Sequence, residues 1–290
     1  MTGFFRNCAQ KCDRDNPEIQ MRNCLSLLLT AFVLSNSVVL RIQAQGVSIP
    51  LPAPKDFRVV GWRNVDDLRY TVAQFDSVFW DPRDTPSLRK LIRTTDLCKD
   101  KTVLEIGVGT GLLSLCALNR GANKVVGTDI NPAAQANALY NARRFRWTDR
   151  FECRLVKKDK PGAFEVIKTN ERFDVIVSNP PWVDRKPKTN FEYALYDPGF
   201  HLAKTLMADL PKHLNPDGRV LLAYGAVSGI VTVRKLAKQH GYGFKIVDDD
   251  RDLAKLPDEF LPGMMMEITV PEQMIRATMK LPEEKQSSSN

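Results

Sequence analysis

Short apolar segments alternate with helix-forming segments along residues 101–270 of the chain. The apolar segments are rich in Val, Ile and Leu, as expected for buried strands. The predicted strands are KTVLEIG (101–107), NKVVGTDI (123–130), RFECRLV (150–156), RFDVIVS (172–178), GRVLLAYG (218–225), FKIVDD (244–249) and MMMEITV (264–270). The predicted helices cover residues 111–121, 132–145, 200–214 and 230–241. Repeated alternation of strand and helix predicts a parallel α/β sheet with helices on both faces.

A glycine-rich turn joins the first predicted strand to the helix that follows it. The turn contains Glu105, Gly107, Gly109, Thr110 and Gly111. Glycine lets the backbone turn tightly and approach a ligand beside the free N–H groups of a helix N-terminus. A P-loop would need Gly-Lys-Ser/Thr after the turn, and the dinucleotide fingerprint would need glycine where the chain has Leu112. The turn therefore favours a nucleotide-like ligand that neither motif describes.

Asp129 stands at the tip of the next predicted strand. A carboxylate at that place can accept both hydrogen bonds from a ribose diol. The position of Asp129 therefore strengthens the prediction of a nucleotide-like ligand over the alternative of a simple glycine turn.

Residues 105–111 resemble the E/D-x-G-x-G-x-G motif of class I S-adenosylmethionine (SAM)-dependent methyltransferases. This resemblance implies a seven-stranded Rossmann-like sheet, SAM as the cofactor, and a ribose contact from Asp129. It also matches Asp159, in the segment KKDKPG, to the acidic residue that often meets the adenine amino group. The alternative for Asp159 is an exposed acid in a surface loop.

The predicted strand 172–178 ends in an unusual loop, Asn179-Pro180-Pro181-Trp182. The alternation places this strand beside the first one, so Asn179 should face the same crevice as the glycine turn. Proline has no N–H and a fixed φ, which leaves rigid carbonyls that only accept hydrogen bonds. The Asn179 side-chain oxygen and the Pro180 carbonyl could therefore accept both hydrogens of an –NH2 group on a planar centre. Trp182 would stack on that centre, and the nitrogen lone pair would point at the methyl group of SAM.

The same loop resembles the (N/D)-P-P-(Y/F/W) motif of methyltransferases that act on amide or exocyclic amino nitrogens. Upstream, Gly61 and the segment Pro82-Arg83-Asp84-Thr85 resemble the region before the cofactor motif in HemK/PrmC-type protein glutamine methyltransferases. The resemblance covers residues 59–270 and implies transfer of a methyl group to a protein glutamine side chain.

Other functions stay open at this point. An adenine-N6 or guanine-N2 methyltransferase of RNA or DNA is favoured by Trp182, where glutamine enzymes usually have Tyr. The net charge of +8 also suits a polyanionic partner. A catalytically silent SAM-binding scaffold and an NAD-dependent oxidoreductase are further alternatives. The expected partner is a macromolecule, either a translation-related protein or an RNA. No metal is predicted, because Cys8 and Cys12 have neither a second pair nor a His cluster.

Three regions are predicted along the chain. Residues 1–58 form an N-terminal extension, residues 59–272 the methyltransferase domain, and residues 273–290 a polar tail. The extension contains an uncharged segment, 23–40, and a proline-rich linker, 46–56. The uncharged segment could be a signal sequence, a membrane anchor or an amphipathic helix docked on the domain. Because SAM is made in the cytosol, the prediction is a cytoplasmic domain that this segment could tether to a membrane.

Overall fold

The computed structural model describes residues 53–257 and 262–279 of the chain. The segment 23–40 lies outside these ranges, so the predictions made for it stay predictions. Within the ranges described, no helix is both long and apolar enough to cross a membrane.

Nine strands and six helices of at least eight residues make up the described fold. The strands are β1 (Val59–Arg63), β2 (Val72–Phe75), β3 (Thr102–Ile106), β4 (Lys124–Asp129), β5 (Phe151–Leu155), β6 (Phe173–Ser178), β7 (Leu214–Tyr224), β8 (Gly243–Ile246) and β9 (Met264–Thr269). The helices are α1 (Pro86–Thr94), α2 (Leu112–Asn119), α3 (Pro132–Arg144), α4 (His201–His213), α5 (Val227–Gln239) and α6 (Glu272–Met279).

Strands β3 to β9 form one sheet in the order β5-β4-β3-β6-β7-β9-β8. The first five of these pair in parallel, whereas β9 runs antiparallel to both β7 and β8. The described part of the β8–β9 connection contains only the short 3-10 turn Leu253–Lys255, and a chain that returns without a crossover helix pairs antiparallel. The predicted seven-stranded α/β sheet is confirmed, with β9 as its reversed strand.

Alternate side chains of the central strands enter two separate cores. Leu104 and Ile106 are buried in a core that also contains side chains of α4 and α5. Val103 is buried in a second core with side chains of α1, α2 and α3. Because successive residues of a strand point to opposite faces, this division means that helices cover both faces of the sheet, as predicted.

A separate hairpin, formed by β1 and β2, is attached to α3 by two asparagine side chains. Residues of β2 alternate between its two edges, so Ala73 and Phe75 turn their backbone groups away from β1. Asn137 accepts from the N–H of Phe75 (2.8 Å) and donates to the C=O of Ala73 (2.8 Å). Asn141 accepts from the N–H of Ala73 and donates to its C=O, both at 2.9 Å. Both asparagines are buried. Their side chains bond to the backbone of β2 at the edge where a third strand would otherwise pair, so α3 takes the place of that strand.

The packed fold extends beyond residue 272, where the polar tail was predicted to begin. Helix α6 buries Ile275 in the same core as α4 and α5. The hydroxyl of Thr278 donates to the C=O of Pro211 (2.7 Å) and accepts from Arg172 (2.8 Å). The helix spans only about two turns and has Ile275 as its one buried residue, which is too short a periodic signal to predict it from sequence.

Candidate active site

The glycine turn follows β3 and leads directly into α2. Gly107, Gly109 and Gly111 have φ values of +76°, +53° and +85°, in the left-handed region that favours glycine. The N–H of Gly107 donates to the C=O of Thr128 at the end of β4 (2.9 Å), which ties the turn to the neighbouring strand. A Cβ on Gly109 would project into open space, whereas one on Gly111 would lie 3.3 Å from Ala138 of α3. The turn is therefore shaped by its glycines and leaves room for a ligand above Gly109.

Glu105 fixes the start of α2 from below the turn. Its side chain is 3% exposed, and Oε2 accepts hydrogen bonds from both the N–H (2.8 Å) and the hydroxyl of Ser114. Burial raises the pKa of Glu105 to about 8, and the Ser114 bonds oppose that shift. Glu105 lines the cleft, but its Oε2 is already hydrogen-bonded to Ser114 within the protein.

Asp129 lies at the tip of β4 and touches the glycine turn, as predicted. Its Oδ2 accepts from the N–H of Gly109 (2.9 Å), and its Oδ1 accepts from the N–H of Asn131 (2.8 Å). Burial raises the pKa of Asp129, and these two N–H groups act in the opposite direction. Each carboxylate oxygen can accept more than one hydrogen bond, so both could also bind a ribose hydroxyl.

Asp159 stands apart from the other predicted residues. It is exposed. Among the described residues that line the cleft, its loop contributes Lys158, Pro161 and Gly162, but Asp159 is absent. The adenine contact assigned to it stays a prediction.

The Asn-Pro-Pro-Trp loop lies beside the glycine turn because β6 pairs with β3, the arrangement that the sequence predicted. Ser178 is opposite Ile106 in this pairing, and its hydroxyl donates to the Ile106 carbonyl (2.6 Å). The next residue, Asn179, has its backbone oxygen 3.9 Å from the position of a Cβ on Gly107. The side-chain oxygen of Asn179 is buried and has no hydrogen-bond partner among the described residues.

Two cavities meet at Asn179. A cleft of about 530 Å³ is lined by the glycine turn with Thr110, and by Asp129, Asn179 and Pro181. A second pocket of about 370 Å³ is lined by Asn179, Pro180, Trp182 and the segment around Asp84. A ligand in the cleft and a group in the pocket would therefore approach each other at this residue.

Trp182 is more buried than expected for a side chain that stacks on an incoming acceptor. Its side chain is 7% exposed, and its indole N–H donates to the C=O of Ala223 in β7 (3.1 Å). The ring still lines the second pocket, so stacking on an acceptor stays a prediction.

Asp84 is a site residue whose role the sequence did not predict. It ends the 3-10 turn Pro82–Asp84, is 8% exposed and lines the second pocket. The neighbouring Asn179 side chain acts to lower the pKa of its carboxyl group. Burial, and next the charge of Asp81, raise the pKa of Asp84 to about 6. The only sequence signal for Asp84 was the resemblance of residues 82–85 to a known segment, and that resemblance did not indicate which residue Asp84 contacts.

The residues around the cleft fit SAM. The positive φ values of the turn, the open space above Gly109 and the carboxylate of Asp129 provide a cradle for a nucleoside ligand. Within the described ranges, no group of three or more His, Cys, Asp or Glu side chains could hold a metal ion.

Comparisons with known proteins place this site in a family. The family model for ribosomal protein L11 methyltransferase (PrmA) matches residues 87–180. A Methanocaldococcus jannaschii protein named for protein N5-glutamine methylation is 34% identical over 155 residues, which cover 51% of this chain and 73% of that protein. The release factor glutamine methyltransferase of Cereibacter sphaeroides is 33% identical over 175 residues, which cover 54% of this chain and 60% of that enzyme.

An RNA-modifying relative is also found. The tRNA1(Val) (adenine(37)-N6)-methyltransferase of a Shewanella species (strain MR-4) is 32% identical over 97 residues, which cover 33% of this chain and 40% of that enzyme. The relatives thus share a methyltransferase domain while their names differ in the acceptor. With this fold, this cleft and these relatives, the chain belongs to the class I SAM-dependent methyltransferases and is an enzyme that takes SAM as its cofactor.

Proposed function

We propose that the enzyme methylates a planar amide nitrogen, and that this nitrogen belongs to a glutamine side chain of a translation-related protein. The observation that carries the proposal is that Asn179 lines both cavities and that its Oδ1 is buried without a hydrogen-bond partner in the part of the chain that the structure describes. A buried acceptor without a donor costs about 1–3 kcal/mol, and a donor from a bound molecule would offset that cost. An incoming –NH2 group would supply the missing donor.

The chemistry of the proposed site depends on positioning. SAM supplies an electrophilic methyl group when it is bound. Asn179 Oδ1 and the Pro180 carbonyl accept the two hydrogens of the acceptor –NH2, which turns the nitrogen lone pair towards the cleft. No strong base is required, because the nitrogen loses its proton to water after the new N–C bond has formed.

Oδ1 is closed off from solvent in this conformation. A neighbouring side chain must therefore move before an acceptor reaches it.

On the cofactor side, Asp129 would bind the ribose hydroxyls, and the ligand would lie in the open space above Gly109. Glu105 and Thr110 would hold the shape of the turn. These roles rest on the contacts described above and on the resemblance of residues 105–111 to the family motif.

The glutamine acceptor is supported by two relatives whose names specify glutamine methylation. The segment Pro82–Thr85 supports it independently, because it resembles HemK/PrmC-type enzymes and the structure places Asp84 and Arg83 in the second pocket. The tRNA methyltransferase relative and the charge of +8 favour an adenine in RNA as the second candidate.

Transfer of labelled methyl groups from SAM tests the proposal. Purified enzyme is incubated with release factors, with ribosomal proteins and with RNA, and labelled products are mapped by mass spectrometry. The expected product is N5-methylglutamine in a protein. Label found only in RNA would reject the glutamine acceptor, and no transfer to any of the three would favour a silent SAM-binding scaffold.

Asn179→Ala provides the matched test of mechanism. The variant should bind SAM with unchanged affinity and transfer methyl groups at least about tenfold more slowly, the loss expected for a hydrogen bond of about 1.5 kcal/mol. Asn119→Ala, at the exposed end of α2, is the control and should behave as wild type. Normal turnover by Asn179→Ala would disprove the acceptor role.

A further inference from the structure

Arginines are concentrated at the C-terminal end of α3. Residues 143–150 contain Arg143, Arg144, Arg146 and Arg150 and a single acidic residue, Asp149. Arg143 and Arg146 are exposed, and within the described part of the chain neither they nor Arg144 form an ion pair with a carboxylate. The helix dipole favours positive charge in the last turn, which explains Arg143 and Arg144. It does not explain Arg146, which lies beyond the end of the helix.

Arg146 has a left-handed backbone conformation, with φ of +61°. Its N–H donates to the C=O of Arg143 (3.1 Å), and the N–H of Trp147 donates to the C=O of Ala142 (2.9 Å). These two bonds form a Schellman motif, in which glycine or asparagine usually takes the position that Arg146 occupies. A side chain with a Cβ is strained there, because the Cβ crowds the following carbonyl oxygen. The stability of the helix end therefore favours glycine and gives no reason for an arginine.

A half-exposed tryptophan lies beside these arginines. Trp62 of β1 is opposite Ala73 of β2, the residue that Asn141 holds on α3. The guanidinium group of Arg144 lies 4.5 Å from the centroid of the Trp62 ring and donates to the C=O of Thr71 (2.7 Å). Even with this contact, Trp62 is 52% exposed. The indole thus keeps open aromatic surface next to a fixed positive charge.

We propose that single-stranded nucleic acid binds at a basic patch made up of Trp62, Arg143, Arg144 and Arg146. The exposed guanidinium groups of Arg143 and Arg146 bind phosphates through paired hydrogen bonds, and Arg144 adds positive charge under the ring. The open surface of Trp62 stacks on an unpaired base. An acidic peptide would pair with the arginines but has no base to place on the indole, and a duplex keeps its bases stacked inside. Charge and open aromatic surface together favour a single strand.

The basic patch is separate from the proposed active site. None of its four residues is among the described residues that line the two cavities, whereas Asn131 and Ala134, at the opposite end of α3, line the cleft. Because α3 has 13 residues, it is about 20 Å long. A strand held at the patch is therefore a docking partner, whichever acceptor is methylated at the cleft. The proposal does not depend on the glutamine acceptor or on the role of Asn179.

Fluorescence anisotropy with a labelled strand of about 12 nucleotides tests the proposal on the full chain. The strand is used as RNA and as DNA of the same sequence, and we expect at least one of them to bind with an affinity that falls as salt rises. Arg146→Gly and Arg143→Gln should each weaken binding about fourfold at about 0.15 M salt. Each should also reduce the slope of log Kd against log salt by about 0.7, the share of one phosphate contact on a single strand.

Trp62 should affect binding in a different way. Trp62→Ala should weaken binding at least about fivefold and leave the salt slope unchanged, because stacking on a base releases no counterions. Trp62→Phe should restore most of the lost affinity, since phenylalanine also stacks. Wild-type binding by Trp62→Ala would overturn the proposed single strand in favour of a general anion surface.

Arg234→Gln is the matched control. Arg234 is exposed on α5, which packs on the opposite face of the sheet from α3, and its replacement changes the net charge by the same amount. The control should bind within about twofold of wild type with the same slope. An equal loss in Arg234→Gln, no binding of either strand, or equal binding of polyglutamate would overturn the proposal. A preference for RNA or for DNA would identify the source of the strand.

Urea denaturation separates lost binding from lost folding. Arg146→Gly should unfold at a urea midpoint equal to or above that of wild type, because glycine suits the left-handed position. Weaker binding together with an undiminished midpoint would support a role for the Arg146 charge in binding. A lower midpoint would overturn the argument from backbone conformation, and an unchanged salt slope in Arg143→Gln would then remove the arginines from the proposed surface.

Discussion

Replacing Asn141 with alanine should loosen both the β1–β2 hairpin and the glycine turn. Besides its two bonds to Ala73, Asn141 donates to the C=O of Thr110 (2.9 Å) inside the turn. In the variant the Ala73 C=O keeps its bond from Asn137, whereas the Ala73 N–H and the Thr110 C=O each lose this partner in a buried site. Two such groups, at about 1–3 kcal/mol each, give an expected loss of about 2–6 kcal/mol in the free energy of unfolding.

Urea denaturation followed by circular dichroism measures this loss. It should be visible as a lower midpoint, because a domain is stable by only about 5–15 kcal/mol in total. Asn119→Ala is the matched control: that side chain is exposed and makes a single long bond to the Asp67 carbonyl (3.3 Å), so its effect should stay within about 0.5 kcal/mol. A loss of less than about 1 kcal/mol in Asn141→Ala would refute the argument that these bonds hold the hairpin on α3.

Two further results are expected. Asp129→Ala should weaken SAM binding at least about tenfold in calorimetry, with Asp129→Asn in between, because one acceptor oxygen remains; unchanged affinity would contradict the ribose contact. Arg154→Met should remove the hydrogen bonds that hold the pKa of Glu171 at about 2. A carboxyl group with a depressed pKa stabilises the fold above the unfolded pKa of about 4.3, and this contribution is lost as the pH falls towards 2. The difference in the free energy of unfolding between wild type and Arg154→Met should therefore be largest at neutral pH. In urea titrations it should shrink below about pH 4.5. A gap that is independent of pH would mean that Arg154 acts through packing alone.

The sheet was predictable because its signals are local. Runs of buried β-branched residues define β3, β4 and β6, and glycines mark the places where the chain turns. The closeness of Asp129 and Asn179 to the glycine turn followed from strand order, since ligands of such sheets bind outside the carboxyl ends of the strands. The antiparallel direction of β9 did not follow, because a run of apolar residues carries no information about which way its strand points.

Contacts between polar residues that are far apart in the sequence could not be predicted from the sequence. Asn137 and Asn141 look like ordinary polar positions of a helix, and only the structure shows that they replace a strand for β2. Asp84 and Asn179 line one pocket from two loops whose side chains have no sequence periodicity in common. Asp159 is exposed in its loop, and its adenine contact stays a prediction.

The anchoring of Trp182 bears on how this motif should be compared among relatives. Indole has a single N–H, and here the Ala223 carbonyl already takes it, so the ring can offer an incoming molecule only hydrocarbon contact. A tyrosine in its place would alter how the loop is fastened to β7, while the Pro180 carbonyl and the Asn179 side-chain oxygen, the proposed acceptors, would stay where they are. In this chain the aromatic residue of the motif therefore serves to attach the loop to β7.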